Sequence, residues 1–118
     1  MATPPPTLKS RRDFLACARA RRWTAPGFVL QARARDDAGG LRVGYTCSKK
    51  VGNAVARNRA KRRLRALAAE VLPRAGRDGW DYVLIGRAGA TASRPFARMA
   101  AEMDEALARV HAPRKPRS

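Results

Sequence analysis

Acids, histidine and cysteine are scarce in this 118-residue chain, and each shortage narrows what the protein can do. With two cysteines, Cys17 and Cys47, it cannot build a disulfide framework or a four-ligand zinc site. Two reduced, partly buried thiols are expected instead. No run of about 18 apolar residues occurs, so no membrane-spanning helix is expected. Met1 to Thr7 carries neither the charged start nor the apolar stretch of a secretory leader. Neither a P-loop nor G-x-G-x-x-G is present. The only histidine, His111, adjoins a Pro-rich basic tail and is expected at the surface. A Ser or Cys nucleophile would therefore lack a histidine base. The nine carboxylates are scattered, which disfavours a two-metal nuclease. By itself the chain is a poor candidate for an enzyme.

What the chain has in excess is positive charge. It carries 26 Lys and Arg against 9 Asp and Glu, a formal net charge of +17. Self-repulsion of that size points to a polyanionic partner. Arg far outnumbers Lys, and Arg binds phosphate through paired hydrogen bonds and stacks on bases. A GC-rich genome would explain Arg over Lys, but not the shortage of acids. Between Ala38 and Ala69 there is no Asp or Glu, while Lys and Arg recur throughout. A solvated helix face normally mixes both signs, so this stretch reads as an electrostatic footprint for nucleic acid.

The length allows one domain with one core. Residues 1–7, with three consecutive prolines, read as a flexible or extended lead-in, 8–111 as the domain and 112–118 as a basic tail. Leu8 to about Ala20 reads as a helix, with Ser10 as N-cap and Asp13 in the capping-box position. Phe28–Arg35 and Leu41–Cys47 alternate like strands, and Asp36–Gly40 between them has hairpin chemistry, so an antiparallel pair is expected. The longest helix starts after Asn53 and is expected to end at Pro73. Ala56, Ala60, Leu64, Leu67 and Val71 form its core stripe. Asp81–Gly86 is an apolar strand, expected to be covered on both faces. A last helix, capped by Thr91 or Ser93, runs to about Val110. The fold class is α+β: one small α/β sandwich in the order helix, strands, helix, strand, helix, with a βαβ unit over 41–86.

The segment Ser48-Lys-Lys-Val-Gly-Asn-Ala-Val-Ala-Arg-Asn-Arg-Ala-Lys-Arg-Arg-Leu-Arg65 closely resembles the signature of the bacterial ribonuclease P protein subunit, with Arg57-Asn58-Arg59 at its core. Leu8–Phe14 resembles that family's opening helix, Phe28-Val-Leu and Arg42–Thr46 its central strands, and Asp81–Arg87 its last strand. The resemblance runs in order over about residues 8–110. It implies a ribosomal-protein-like βαβ unit with a left-handed crossover. It also implies a cytoplasmic cofactor of a ribozyme, with the RNA removing the 5′ leader of precursor tRNA. The implied partners are ribonuclease P RNA and precursor tRNA, one protein per RNA, with no membrane. The implied metal is Mg2+, bound mainly by the RNA, with no organic cofactor and no catalytic residue in this chain.

Carried over by position, Lys49, Lys50, Arg57, Asn58, Arg59, Lys61, Arg62 and Arg65 would face the catalytic RNA. Guanidiniums along one helix face can bridge several phosphates. The leader cleft would take Phe14, Phe28 and Tyr45 as aromatic candidates, Arg11, Arg12, Arg33 and Arg87 as basic walls, and Gln31 as a hydrogen-bonding group. Rings stack on any base and cations track the backbone, so such a groove tolerates many leaders. Phe14 and Tyr45 have a second reading as core side chains. The chain departs from the family at Gln31 and Ala18, where aromatics are common. The competing class is a structural ribosomal RNA binder. A DNA reader lacks a short helix before its recognition helix, and a membrane-surface binder lacks spare bulky apolar residues.

Overall fold

Strand β4 (Trp80–Gly86) is the apolar run around which the other strands gather. In the computed structural model, which describes residues 5–35 and 37–113, β4 pairs antiparallel with β2 (Phe28–Ala34) and parallel with β3 (Arg42–Thr46). Strand β1 (Arg21–Thr24) adds outside β2, giving the order β1-β2-β4-β3.

This order corrects the expected direct pairing of 28–35 with 41–47, because β4 lies between them. Alternation tells which face of a sheet a residue takes, not which strand lies beside it. An apolar strand gains most at the centre, where both edges are paired and both faces covered. The residues on either side of Asp36 therefore form no β2–β3 hairpin but bridge the start of β4. There Arg35 N–H donates to Gly79 O at 2.8 Å and Gly79 N–H to Gly39 O at 2.7 Å. Asp36 itself lies outside the described residues. Strand β1 was not expected, since Arg-Arg-Trp-Thr has no apolar alternation. It is an edge strand held by a tight turn, with Ala25 N–H on Phe28 O at 2.9 Å.

Helix α1 (Arg11–Ala18) covers one face of the sheet. Helices α2 (Ala54–Ala75) and α4 (Phe96–His111) cover the other, with the single turn α3 (Ala90–Ser93) between β4 and α4. Of the expected α2 stripe, Ala60, Leu64, Leu67 and Val71 are buried, joined by Ala68 and Leu72, while Ala56 is only half-buried. They meet Phe28, Leu30, Tyr82 and Leu84 from the sheet and Met99, Met103 and Leu107 from α4.

Helix boundaries differ from expectation for local reasons. Leu8 does not start α1. Its N–H bonds Val43 O, and Val43 N–H bonds Pro6 O, both at 2.9 Å, so the end of the lead-in lies along the free edge of β3. Ser10 caps α1 by accepting from Arg12 N–H. Pro73 does not end α2, because it is exposed in the last turn and costs only one backbone bond there. The helix stops at Gly76, whose N–H reaches Leu72 O at 2.8 Å. Neither Thr91 nor Ser93 caps α4, which follows Pro95 with no side-chain cap. Thr91 is buried instead, donating to Gly27 O at 2.6 Å and accepting from Arg87 N–H at 2.7 Å. Residues 114–118 of the basic tail lie outside the described residues.

His111 is not a free surface residue. Its Nε2 lies 2.7 Å from the Tyr82 hydroxyl, and its ring meets Trp80 edge-on at 4.3 Å between centroids. The Tyr82 oxygen also accepts Arg77 N–H at 2.9 Å. Burial, with Arg77 and Arg21 nearby, pushes the imidazole down to about 4. A histidine depressed in the folded state stabilises above its ordinary pKa and loses that contribution as pH falls from about 6.5 toward 4. The melting temperature of the wild type should therefore fall more steeply over that window than that of His111→Gln, measured by thermal unfolding at stepped pH.

Candidate nucleic-acid interface

Two surfaces carry the residues that the sequence singled out, and they lie on different sides of the sheet. The first is built at the start of α2. Ser48 caps a short 3-10 turn, Lys49–Val51, that presents exposed Lys49 and Lys50. Gly52 follows at φ 140°, where an added Cβ would lie 2.8 Å from the Ala56 Cβ. Asn53 then caps the helix, its Oδ1 accepting Ala56 N–H at 3.0 Å. This fixes the rotation of α2. Asn58, Arg59, Arg62 and Arg65 are exposed, while Arg57 and Lys61 are half-buried on the flank toward Cys47. None of these cations forms an ion pair among the described residues. Arg63 takes no part, since it donates to the carbonyls of Ala92 and Arg94 and ties α2 to α3.

The second surface is the sheet face under α1. Phe14 packs against Gly44, where a Cβ would come within 2.4 Å of its ring. Leu8, Cys17, Val83 and Ile85 complete this small apolar seat. Burial, with Asp81 adding to it, pushes the Cys17 thiol up to about 11, so it is inert while α1 is docked. Arg11, Arg12, Leu15, Arg19 and Arg33 rim a shallow concavity beside α1. Gln31 points to the same face from β2 but is only 7% exposed.

The expected aromatic cleft does not assemble. Phe28 is fully buried in the core on the opposite face and cannot stack on a base. Tyr45 also belongs to that opposite face, half-buried against the core, with the Arg65 guanidinium 5.7 Å from its ring centroid. Register explains both: Leu30, Leu84 and Tyr45 share one row, while Gln31, Val83 and Gly44 share the alternate row under α1. Phe14 alone of the three is on the α1 side. Arg87 sits past the end of β4 and donates to Ala25 O at 2.8 Å.

The residue that sequence reasoning missed is Asp81. Its side chain is fully buried at the start of β4. Arg42 grips both oxygens at 2.8 Å, Arg35 donates at 2.6 Å and Arg33 at 3.1 Å. Asp13 of α1 approaches Arg33 at 3.6 Å and Arg42 at 3.7 Å rather than completing a capping box. Burial by itself would raise the Asp81 carboxyl, but the hydrogen bonds from Arg42 and Arg35 outweigh it and hold it below the ordinary range. Arg33 is thus largely a structural cation. The only available signal was an acid opening an apolar strand, with Arg33, Arg35 and Arg42 at alternating strand positions nearby.

A family model for ribonuclease P matches residues 4–111. The chain belongs to the ribonuclease P protein family. The ribonuclease P protein component of Ruegeria pomeroyi is 62% identical over 109 residues, covering 91% of this chain and 87% of that one. That of Paramagnetospirillum magneticum is 50% identical over 113 residues, covering 92% and 84%. The fold is similar to that of the RNase P protein from Thermotoga maritima, with a TM-score of 0.73 at 24% identity over 90% of this chain and 98% of that one. The basic start of α2 is the segment that resembles the family's signature; Lys49, Lys50, Asn58, Arg59, Arg62 and Arg65 are exposed on it, and Arg57 and Lys61 are half-buried.

Replacing Asp81 with Asn would remove the one buried acid that Arg33, Arg35 and Arg42 share, leaving only the longer Asp13 contacts and the exposed Asp37 pair. Such a loss costs about 3–5 kcal/mol for a buried pair, so urea denaturation of Asp81→Asn should show a stability drop of that order.

Proposed function

We propose that the chain serves as the protein subunit of ribonuclease P, holding the catalytic RNA with the start of α2 and the 5′ leader of precursor tRNA beside α1. The observation that carries this reading is the outward face of α2. Lys49, Lys50, Asn58, Arg59, Arg62 and Arg65 are exposed there, without ionic partners among the described residues. Cations so presented release counterions when phosphates take their place. Arg57 and Lys61 flank the same helix, and the stacked Tyr45–Arg65 pair extends the surface toward β3.

The leader contacts are narrower than a run of stacking rings. Arg11, Arg12 and Arg19 supply charge beside α1, Phe14 is a half-buried ring that mainly seats the helix, and Gln31 is largely covered. Such a surface grips the leader by its phosphates more than by its bases. The hydrolytic centre belongs to the RNA. Among the described residues no three His, Cys, Asp or Glu side chains gather into a metal site, and the chain offers no carboxylate between 38 and 69 for Mg2+. In this proposal magnesium is held mainly by the RNA, and the protein's part is to lower the repulsion between RNA segments that must meet. One protein per RNA, in the cytoplasm and without an organic cofactor, completes the proposal. No described helix is long and apolar enough to cross a membrane.

Precursor-tRNA cleavage at low magnesium tests the reading, using this protein, the ribonuclease P RNA of Ruegeria pomeroyi, and both together. Only the pair should cut well, at the mature 5′ end. A protein that adds nothing to that RNA would overturn the proposal in favour of a ribosomal role. Arg59→Ala should weaken assembly and lower the log–log salt slope by about one. Arg11→Ala with Arg12→Ala should raise the Kd for precursor more than for mature tRNA, and equal losses on both would remove the leader role.

A further inference from the structure

Val55 is 67% exposed, more than any other large apolar side chain among the described residues. It sits in the first turn of α2 and joins neither apolar cluster. A β-branched residue is a weaker helix former than alanine, so neither packing nor propensity accounts for it. It is not isolated, however. Val55, Asn58, Arg59 and Arg62 line one shallow concavity, at the i, i+3, i+4, i+7 spacing that places them on one face. Helical rise separates the first from the last by about 10 Å.

This stripe mixes one apolar group, one amide and two cations. Cations can hold phosphates, and an amide can pair with a hydroxyl or a base edge. An apolar side chain among them gains only from a surface that is itself partly apolar. RNA offers such a surface in the ribose and base faces of its wide, shallow minor groove and of unpaired loops. The same face of a second copy of this chain is a poor occupant, because the stretch around the stripe has no carboxylate to meet those arginines.

We propose that Val55 is the apolar contact of the RNA interface, covering a sugar or base face of the ribonuclease P RNA while Arg59 and Arg62 hold phosphates beside it. The proposal rests on the reading of α2 given above. It assigns part of the affinity to a term that salt does not screen, since burial of apolar surface releases no counterions.

Binding of the Ruegeria pomeroyi ribonuclease P RNA, measured over a salt series, separates the two readings. Val55→Ala and the near-isosteric Val55→Thr should each raise Kd roughly fivefold at every salt concentration, the scale of losing a small buried apolar area. Their log–log lines should run parallel to the wild type. Val55→Ile should bind as well as the wild type. Val55→Ala should melt no lower than the wild type, so lost affinity would not reflect lost fold. If Val55→Ala and Val55→Thr bind normally while Arg59→Ala flattens the slope, the Val55 contact is wrong and the α2 surface stands. A changed slope in either Val55 variant would also overturn the apolar role. If neither Arg59→Ala nor Val55→Ala alters binding, the α2 surface itself is wrong.

Discussion

The buried carboxylate of Asp81 is the interaction on which the rest of the molecule depends. Arg33 comes from β2 and Arg35 from just past its end, Arg42 from β3, and Asp81 from the strand between them. Asp13 adds α1 to the same cluster. One acid thus joins three strands that would otherwise bring like charges together. A charge pair of this kind contributes little when compared with a well-packed apolar replacement, yet it is costly to break. Its weight here lies in arrangement: the cluster forms only when β4 lies between β2 and β3 and α1 is docked.

The same economy governs the other acids. Asp37 pairs with Arg35, Glu102 with Arg94, and Asp104 with Arg74. These carboxylates fasten loops, helix ends and strand ends, and none of the described carboxylates lies in the basic start of α2. That helix surface keeps its field unneutralised. A molecule with a net charge of +17 accepts the resulting repulsion because its anionic partner relieves it. Fold and function therefore draw on one limited supply of negative charge.

Much of this was legible in the sequence. The core stripe of α2, its Asn53 cap and the centrality of the 81–86 run follow from periodicity and turn chemistry, and the signature led directly to the family. The neighbours in the sheet were not legible. A short polar edge strand such as Arg21–Thr24 carries no apolar pattern, and hairpin chemistry at 36–40 served equally well to cross a third strand. The aromatic candidates failed for the same reason. Phe28 and Tyr45 take the face opposite Phe14 once the register with β4 is fixed. His111 was misplaced because its partner, Tyr82, is 29 residues away in the chain.

Helix α1 has only eight residues and rests on a small apolar seat centred on Phe14 and Gly44. A helix that short is not stable by itself in water. It exists because it is docked, and its docking is a local equilibrium distinct from global unfolding. Cys17 lies at the bottom of that seat, with no exposed surface. Its thiol is shut off from solvent for as long as the helix stays down, so alkylation at this one atom would count the openings of α1, making the chain its own clock for how often the sheet face beneath is bared.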